Sequence, residues 1–356
     1  MNRPPPRPLL SLDEALGRLL AAVTPLSETE TVSTFEGLGR VLAQDISSPI
    51  NVPPQDNTSM DGYAVRSADI PQAGTVLPVS QRIPAGVVGT ALQPGTAARI
   101  FTGGQVPPGA DAVVMQERCE TVEGGVRIDV VPQPGEWVRR QGEDVRAGSV
   151  VLPAGTRLTP QAMGLAAGVG APELLVARRP RVAMFSTGDE LAMPGEPLKP
   201  GAIYNANRFF LRGLLTLLGC ECNDLGIVPD RLDATREALR RAAQNNDLIL
   251  TSGGVSIGEE DHLRPAVAAE GQIDLWQISM KPGKPLAFGQ VRRPDSSSAW
   301  FVGLPGNPVS SYVTFFLAVR PLLLRLQGAT ELEPHPLMLR ADFDLPKPDK
   351  RREFLR

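Results

Sequence analysis

At 356 residues, with 42% hydrophobic and 21% charged residues, the chain exceeds one typical core and has the makeup of an ordinary folded protein. Two or three domains are expected, and wholesale disorder is excluded. A net charge of −3 and a pI near 5.6 give no basic field for a phosphate backbone, so no nucleic acid is expected as a partner.

Residues 1–8 carry four prolines and read as a disordered, semi-extended tail. They hold no signal-peptide core, and no later run reaches 18 uncharged apolar residues, so a cytoplasmic protein with no membrane partner is expected. Ser11 is a candidate N-cap for a helix reaching Val23, with Leu12, Ala15, Leu16, Leu19 and Leu20 at helical spacing. From Thr31 to Gly170 the texture is short β-rich runs broken by Gly and Pro, such as 97–101, 112–115 and 126–130, with a short helix over Gln161–Val169.

After Arg178-Arg179-Pro180, apolar runs of strand length alternate with amphipathic runs of helix length, the mark of a mostly parallel sheet with crossover helices. Strands are expected at 181–185, 221–227, 248–251, 275–279, 286–291 and 300–303. Helices are expected at 206–218, 233–244, 262–269 and 308–326, with Asp233 as an N-cap candidate. Cys220 and Cys222 alternate at a strand start and read as packing residues; with Cys119 they lack CxxC spacing, and two histidines cannot build a His-dependent triad or a His-rich metal centre.

The unusual residues cluster after the expected strands. Ser186 to Glu190, Pro229-Asp230, Ser252 to Val255, Lys281 to Pro285 and Leu304 to Pro308 each follow one. Open α/β sheets bind ligands beyond the carboxyl ends of their strands, so these segments are expected to converge on one pocket. Lys281 and Lys284, two of only five lysines, sit on a loop stiffened by Pro282 and Pro285 and suit an oxyanion, against the alternative of a solvated turn. Ser252-Gly253-Gly254-Val255 either presents backbone N–H groups to a phosphate or is a tight βα connection. It has neither Walker A nor GxGxxG spacing.

Asp189, Glu190, Asp230 and Asp261, with Glu259 and Glu260, would repel an anionic ligand unless a hard cation lay between them, which implies Mg²⁺ on phosphate oxygens; each could instead cap a helix or face solvent. In the β-rich half, Asp61 in Asn57 to Val65 reads as a turn acid. Arg139-Arg140-Gln141-Gly142-Glu143-Asp144 reads as a salt-linked turn or a ligand rim.

Taken in order, these strings closely resemble the MoeA family of molybdopterin molybdenumtransferases, to which the gephyrin E domain is similar, over about Leu9 to Gly328. The motifs are Asp56-Asn57 with Met60 to Ala64, Arg140 to Asp144, Phe185 to Glu190, Ser252 to Ser256, Lys281 to Pro285 and Gly303 to Ser310. The resemblance implies a multidomain α+β and α/β fold. Its parts would be a tail at 1–8; a mainly β region at 9–179 with an inserted β-rich subdomain at about 48–145; a molybdopterin-binding α/β domain at 180–328; and, in 329–356, only the start of a truncated C-terminal β domain, loosely held or paired with another chain.

It also implies molybdenum insertion: molybdate is transferred to adenylylated molybdopterin, AMP leaves and Mg²⁺ assists. By the same resemblance Asp61, Asp144, Glu190, Asp230 and Asp261 are catalytic acids, and Glu190, Asp230 and Asp261 hold Mg²⁺. Thr187, Gly188, Asp189, Ser252, Gly253, Gly254, Val255, Lys281, Lys284, Pro305, Gly306 and Asn307 bind substrate. A homodimer is implied, with Asp61 and Asp144 reaching the site from the partner subunit, and with molybdopterin adenylyltransferase and molybdoenzymes as transient partners. The alternatives are an adenylyltransferase of the same fold and a non-catalytic scaffold or inactive truncated member. His262 departs from the pattern, standing where many members have tyrosine.

Overall fold

The computed structural model describes residues 9–255, 262–344, 347 and 349–355. The chain divides into two compact units, one of Met1–Gln44, Pro153–Met163 and Pro172–Arg356, the other of Asp45–Leu152 and Gly164–Ala171.

The first unit opens with α1, Leu12–Ala22. The Ser11 hydroxyl accepts from the Glu14 amide and the Glu14 carboxylate from the Ser11 amide, a complete capping box. The α/β part follows as β1 (Arg181–Thr187), α2 (Ala206–Leu217), β2 (Glu221–Val228), α3 (Leu232–Asn245), β3 (Leu248–Ser252), α4 (Leu263–Glu270), β4 (Gly271–Gln277), β5 (Pro285–Arg292), β6 (Ser298–Leu304) and α5 (Pro308–Thr314). Sheet order is β2-β1-β3-β6-β5-β4. The first four strands are mutually parallel, while β5 runs antiparallel to both β6 and β4. The sheet is thus mostly parallel, as expected, with one reversed strand.

Side chains alternate across this sheet because successive residues of a strand point to opposite faces. Val182, Met184, Leu248, Leu250 and Val302 face the layer of α1, α2 and the last helical stretch. Ala183, Phe185, Ile249 and Phe301 face α3 and α4. Cys220 and Cys222 pack against the first layer, and burial pushes the Cys220 thiol up to about 12, which keeps it protonated and inert at neutral pH.

Three local expectations need correction. The helix expected over 308–326 is interrupted: α5 passes through a π-helical turn, Phe315–Val319, into α6, Arg320–Leu326. Pro321 has no N–H for the preceding turn, and the helix widens just before it. This stretch is long and apolar enough to cross a membrane by length and composition, with mean hydropathy 1.4, yet 56% of it is buried inside the chain. It reads as a core helix. Asp233 is not the N-cap of α3; Arg231 holds that position, and Asp233 sits in the first turn paired with it at 2.8 Å. The strand expected at 275–279 starts earlier, at Gly271.

At the amino ends of the strands, Asp247 receives both guanidinium nitrogens of Arg178, at 2.7 and 2.8 Å, and the Arg181 amide at 2.8 Å. Asp247→Ala is therefore expected to cost about 2 kcal/mol of stability, by removing the part-buried partner of a half-buried guanidinium and leaving it the exposed Glu28 alone among carboxylates. Urea unfolding followed by circular dichroism measures this; an unchanged midpoint contradicts it.

In the second unit a four-stranded sheet (order Val79–Ile83, Ala97–Ile100, Gly62–Val65, Ala112–Met115) lies with a three-stranded one (Thr75–Leu77, Gly125–Ile128, Cys119–Val122). Gly62 allows its strand to approach its neighbour, because a Cβ there would stand 1.9 Å from the Val114 carbonyl oxygen. The described tail does not match the expectation of a loose or chain-exchanged end. Arg352–Glu353 pairs in parallel with Met280–Lys281 of the same chain.

Candidate active site

Because β1, β2, β3 and β6 are parallel and β4 runs the same way, the segments after Thr187, Val228, Ser252, Gln277 and Leu304 all leave the sheet at one edge. Contacts tie together those after Thr187, Val228, Ser252 and Leu304. The Ser186 and Ser252 hydroxyls lie 3.1 Å apart, buried between β1 and β3. A Cβ on Gly253 would sit 2.9 Å from the Thr187 carbonyl oxygen, and one on Gly306 would sit 3.7 Å from the Gly253 Cα. Asp189 Oδ1 accepts from the Asp230 amide at 3.3 Å. The Glu190 carboxylate folds back over Gly188, whose absent Cβ position is 2.5 Å from it.

The backbone of the Gly-Gly turn needs glycine at both positions, with φ of +92° at Gly253 and +66° at Gly254. Its N–H groups are not all available to a ligand: that of Gly253 donates to the Leu304 carbonyl at 3.1 Å. Any anion cradle is left to Gly254 and Val255. The Val255 side chain is buried in the core, so only its backbone could serve a ligand.

In the 305–307 loop, the Pro305 carbonyl accepts from the Ser311 hydroxyl at 2.5 Å. Asn307 Oδ1 accepts from the Val309 and Ser310 amides at 3.1 Å each, an N-cap for α5. Asn307 nevertheless lines a cavity of about 640 Å³ with Lys281, Pro282, Val309, Ser310, Phe343, Glu353, Phe354 and Leu355.

The lysine loop packs closely on its surroundings. Lys281-Pro282 is cis, Ile278 N–H donates to the Lys284 carbonyl at 2.8 Å, and a Cβ on Gly283 would meet Thr314 Oγ1 at 2.5 Å. Lys284 is exposed on this loop. Lys281, half exposed, lies 2.5 Å from Glu353 and 3.8 Å from Asp349. Arg351 holds the Asp349 carboxyl well below the usual range.

Among the acids, Glu190 is exposed and Asp230 half-buried on adjoining loops. Asp261, with Glu259 and Glu260, lies outside the described residues. Among the described residues no group of three or more His, Cys, Asp or Glu is placed to hold a metal ion. Two carboxylates on adjoining loops still suit Mg²⁺, which takes oxygen donors and commonly uses one or two carboxylates plus phosphate oxygens and waters.

Asp61 and Asp144 belong to the second unit. Asp61 Oδ1 accepts from the Thr102 amide and hydroxyl, both at 2.7 Å, and these bonds hold its carboxyl below the usual range. Asp144 pairs with Arg139 at 2.5 Å, and the Arg140 amide donates to Glu143, so 139–144 is a salt-linked turn. The two motifs of this unit meet: Val138-Arg139 pairs with Asn57-Thr58, and Asp56 receives Arg140 at 2.7 Å and the Gln141 amide at 2.8 Å. Asp56 and Gln141 line a cavity of about 300 Å³, so the turn also borders a recess.

Sequence reasoning passed over Asn207 and Glu353. Asn207 is 7% exposed; its Nδ2 donates to the Gly306 carbonyl at 2.8 Å, and its Oδ1 has no partner among the described residues. The available signal was position, since Asn205 caps α2 through the Arg208 amide and Asn207 follows it on the first turn.

Residues 10–170 match the family description "MoeA N-terminal region (domain I and II)", and residues 183–325 match "Probable molybdopterin binding domain". The molybdopterin molybdenumtransferase of Haemophilus influenzae is 42% identical over 329 residues, which are 92% of this chain and 80% of that protein. The one of Bacillus subtilis is 35% identical, covering 98% and 82%. A crystal structure of the molybdopterin biosynthesis moeA protein from Pyrococcus horikoshii OT3 superposes with TM-score 0.75 at 31% identity, covering 91% of this chain and 81% of that one. With a mostly parallel sheet, converging loops and matches along both halves, the chain belongs to the MoeA family.

Proposed function

We propose that this chain is a molybdenum insertase, transferring molybdenum from molybdate to adenylylated molybdopterin with release of AMP. The observation that carries the reading is the convergence of the loops after β1, β2, β3, β4 and β6 on one edge of the sheet. That the lysine loop, the glycine turn and the acids Glu190 and Asp230 all lie on these loops supports the reading. Family membership points to the same chemistry.

Lys281 and Lys284 hold the oxyanion as point charges beside the dithiolene sulfurs. Gly254 and Val255 offer backbone donors to phosphate. Asn207 fixes the Gly306 carbonyl and so sets the 305–307 loop. Its unpartnered Oδ1 can accept only from a donor, which suits a ring N–H or a hydroxyl of the substrate rather than a phosphate. Glu190 and Asp230, with Asp261, would hold Mg²⁺. When bound, Mg²⁺ supplies positive charge to the phosphoanhydride oxygens.

The reading includes a cytoplasmic homodimer in which a second copy supplies Asp61 and Asp144, with molybdopterin adenylyltransferase and molybdoenzymes as transient partners. Sedimentation equilibrium tests the dimer; a monomer at micromolar concentration contradicts it. Activity is tested by supplying molybdopterin with ATP in parallel with adenylylated molybdopterin and molybdate. Turnover is expected only with the second pair, and ATP consumption without molybdate would instead assign an adenylyltransferase.

Asn207→Ala is expected to lower kcat/KM for adenylylated molybdopterin about tenfold, the effect of one positioning hydrogen bond worth about 1.4 kcal/mol. Steady-state kinetics check this. An unchanged kcat/KM removes Asn207 from the site.

A further inference from the structure

We propose that Glu353 is a resident anion on Lys281 that molybdate must displace, so that segment 349–355 sets how tightly the site takes its oxyanion. This rests on reading Lys281 as an oxyanion-binding residue.

The segment is seated by its backbone. Arg352 N–H donates to the Ser279 carbonyl at 3.0 Å and Phe354 N–H to the Lys281 carbonyl at 2.8 Å. Arg352 is further tied to Asp13, in the first turn of α1, at 3.0 Å. This pairing delivers the Glu353 carboxylate to 2.5 Å from Lys281 Nζ. Glu353, Phe354 and Leu355 then line the same cavity as Lys281, Pro282 and Ser310.

Charge decides the consequence. An ammonium in contact with a carboxylate is locally neutral, and an approaching dianion meets repulsion from one as well as attraction to the other. Glu353 is 17% exposed, so solvent screens this pair less than an open surface pair. Asp349 is engaged by Arg351 at 2.8 Å and lies 3.8 Å from Lys281. Glu353 is therefore the group that yields. The exchange is one anion for another on Lys281, with no covalent step.

The test is the dissociation constant of sodium molybdate, measured by equilibrium dialysis on the full chain, Glu353→Gln, Lys281→Ala and the double variant. Glu353→Gln is expected to tighten binding by about threefold to tenfold, because a competing charge is gone, and the gain should vanish without Lys281. If Glu353→Gln binds as the parent or more weakly while Lys281→Ala weakens binding, the inference is wrong and the reading of Lys281 stands. An equal gain in both backgrounds also overturns it, since the effect would then be one of general charge. If Lys281→Ala leaves binding unchanged, the reading of Lys281 falls and the inference falls with it. Hydrogen exchange at the Phe354 amide separates charge from unfolding. Retained protection in Glu353→Gln is expected, and tighter binding with protection lost would overturn the role given to the carboxylate.

Discussion

Replacing Lys281 and Lys284 together by alanine lowers kcat/KM for molybdate by roughly a hundredfold to ten-thousandfold, since each charged hydrogen bond to an oxyanion is worth about 1.5–3 kcal/mol. The main change should be in function. Lys284 is exposed and Lys281 half exposed, but Glu353 loses the partner of a partly buried pair, so the variant should fold with a stability about 1 kcal/mol below the parent. The loss has two parts. The ammonium groups no longer attract the dianion, and Glu353, released from Lys281, adds a carboxylate without its partner to the cavity wall. Steady-state AMP release with varied molybdate measures the effect, and a variant within threefold of the parent would remove the lysine loop from the site.

Gly253→Ala should lower kcat by about a hundredfold, the order expected when reacting groups are displaced by about an ångström. Two features of the turn combine. Its φ of +92° is strained for any residue with a Cβ, and the new atom would stand 2.9 Å from the Thr187 carbonyl oxygen. That oxygen belongs to the end of β1, which is bonded on both sides by β2 and β3, so the turn must move instead. The same strain should cost about 2 kcal/mol of stability. Urea unfolding and AMP release measured on one preparation check both effects. Full activity with unaltered stability would contradict the tight approach of the two loops.

Most of the α/β half is legible in the sequence because its strands are short, apolar and separated by amphipathic runs. β1, β2, β3 and β6 fall within a few residues of where the pattern puts them. Direction is less legible. An apolar run such as Leu286 to Val291 reads alike in either sense, and β5 proves to be the reversed strand. Polarity hides the start of β4, where Gln272 and Asp274 alternate with apolar positions on the sheet edge. The long helix at 308–326 looks continuous because its hydrophobic spacing persists through the π-helical turn before Pro321.

At the site, sequence order and topology suffice to bring the five loops to one edge. Side-chain commitments are another matter. Asn307-Pro308 carries the cap-and-proline signature of a helix start, which commits the Asn307 carboxamide to α5, but nothing near Gly253 signals that its amide is already bonded to Leu304. The pairing of Lys281 with Glu353 joins residues 72 positions apart, and long-range ion pairs leave no local pattern. Asn207 is the converse case, a residue of ordinary appearance made significant by burial and an unmatched acceptor.

The central claim is that the loops at the carboxyl edge form one site that couples molybdenum insertion to AMP release. The most direct measurement incubates the purified chain with adenylylated molybdopterin, Mg²⁺ and molybdate, and quantifies both released AMP and molybdenum bound to the dithiolene product. The account predicts that the two rise together in equal amounts and that neither forms without molybdate. AMP release at the same rate in the absence of molybdate, with no molybdenum in the product, would contradict it.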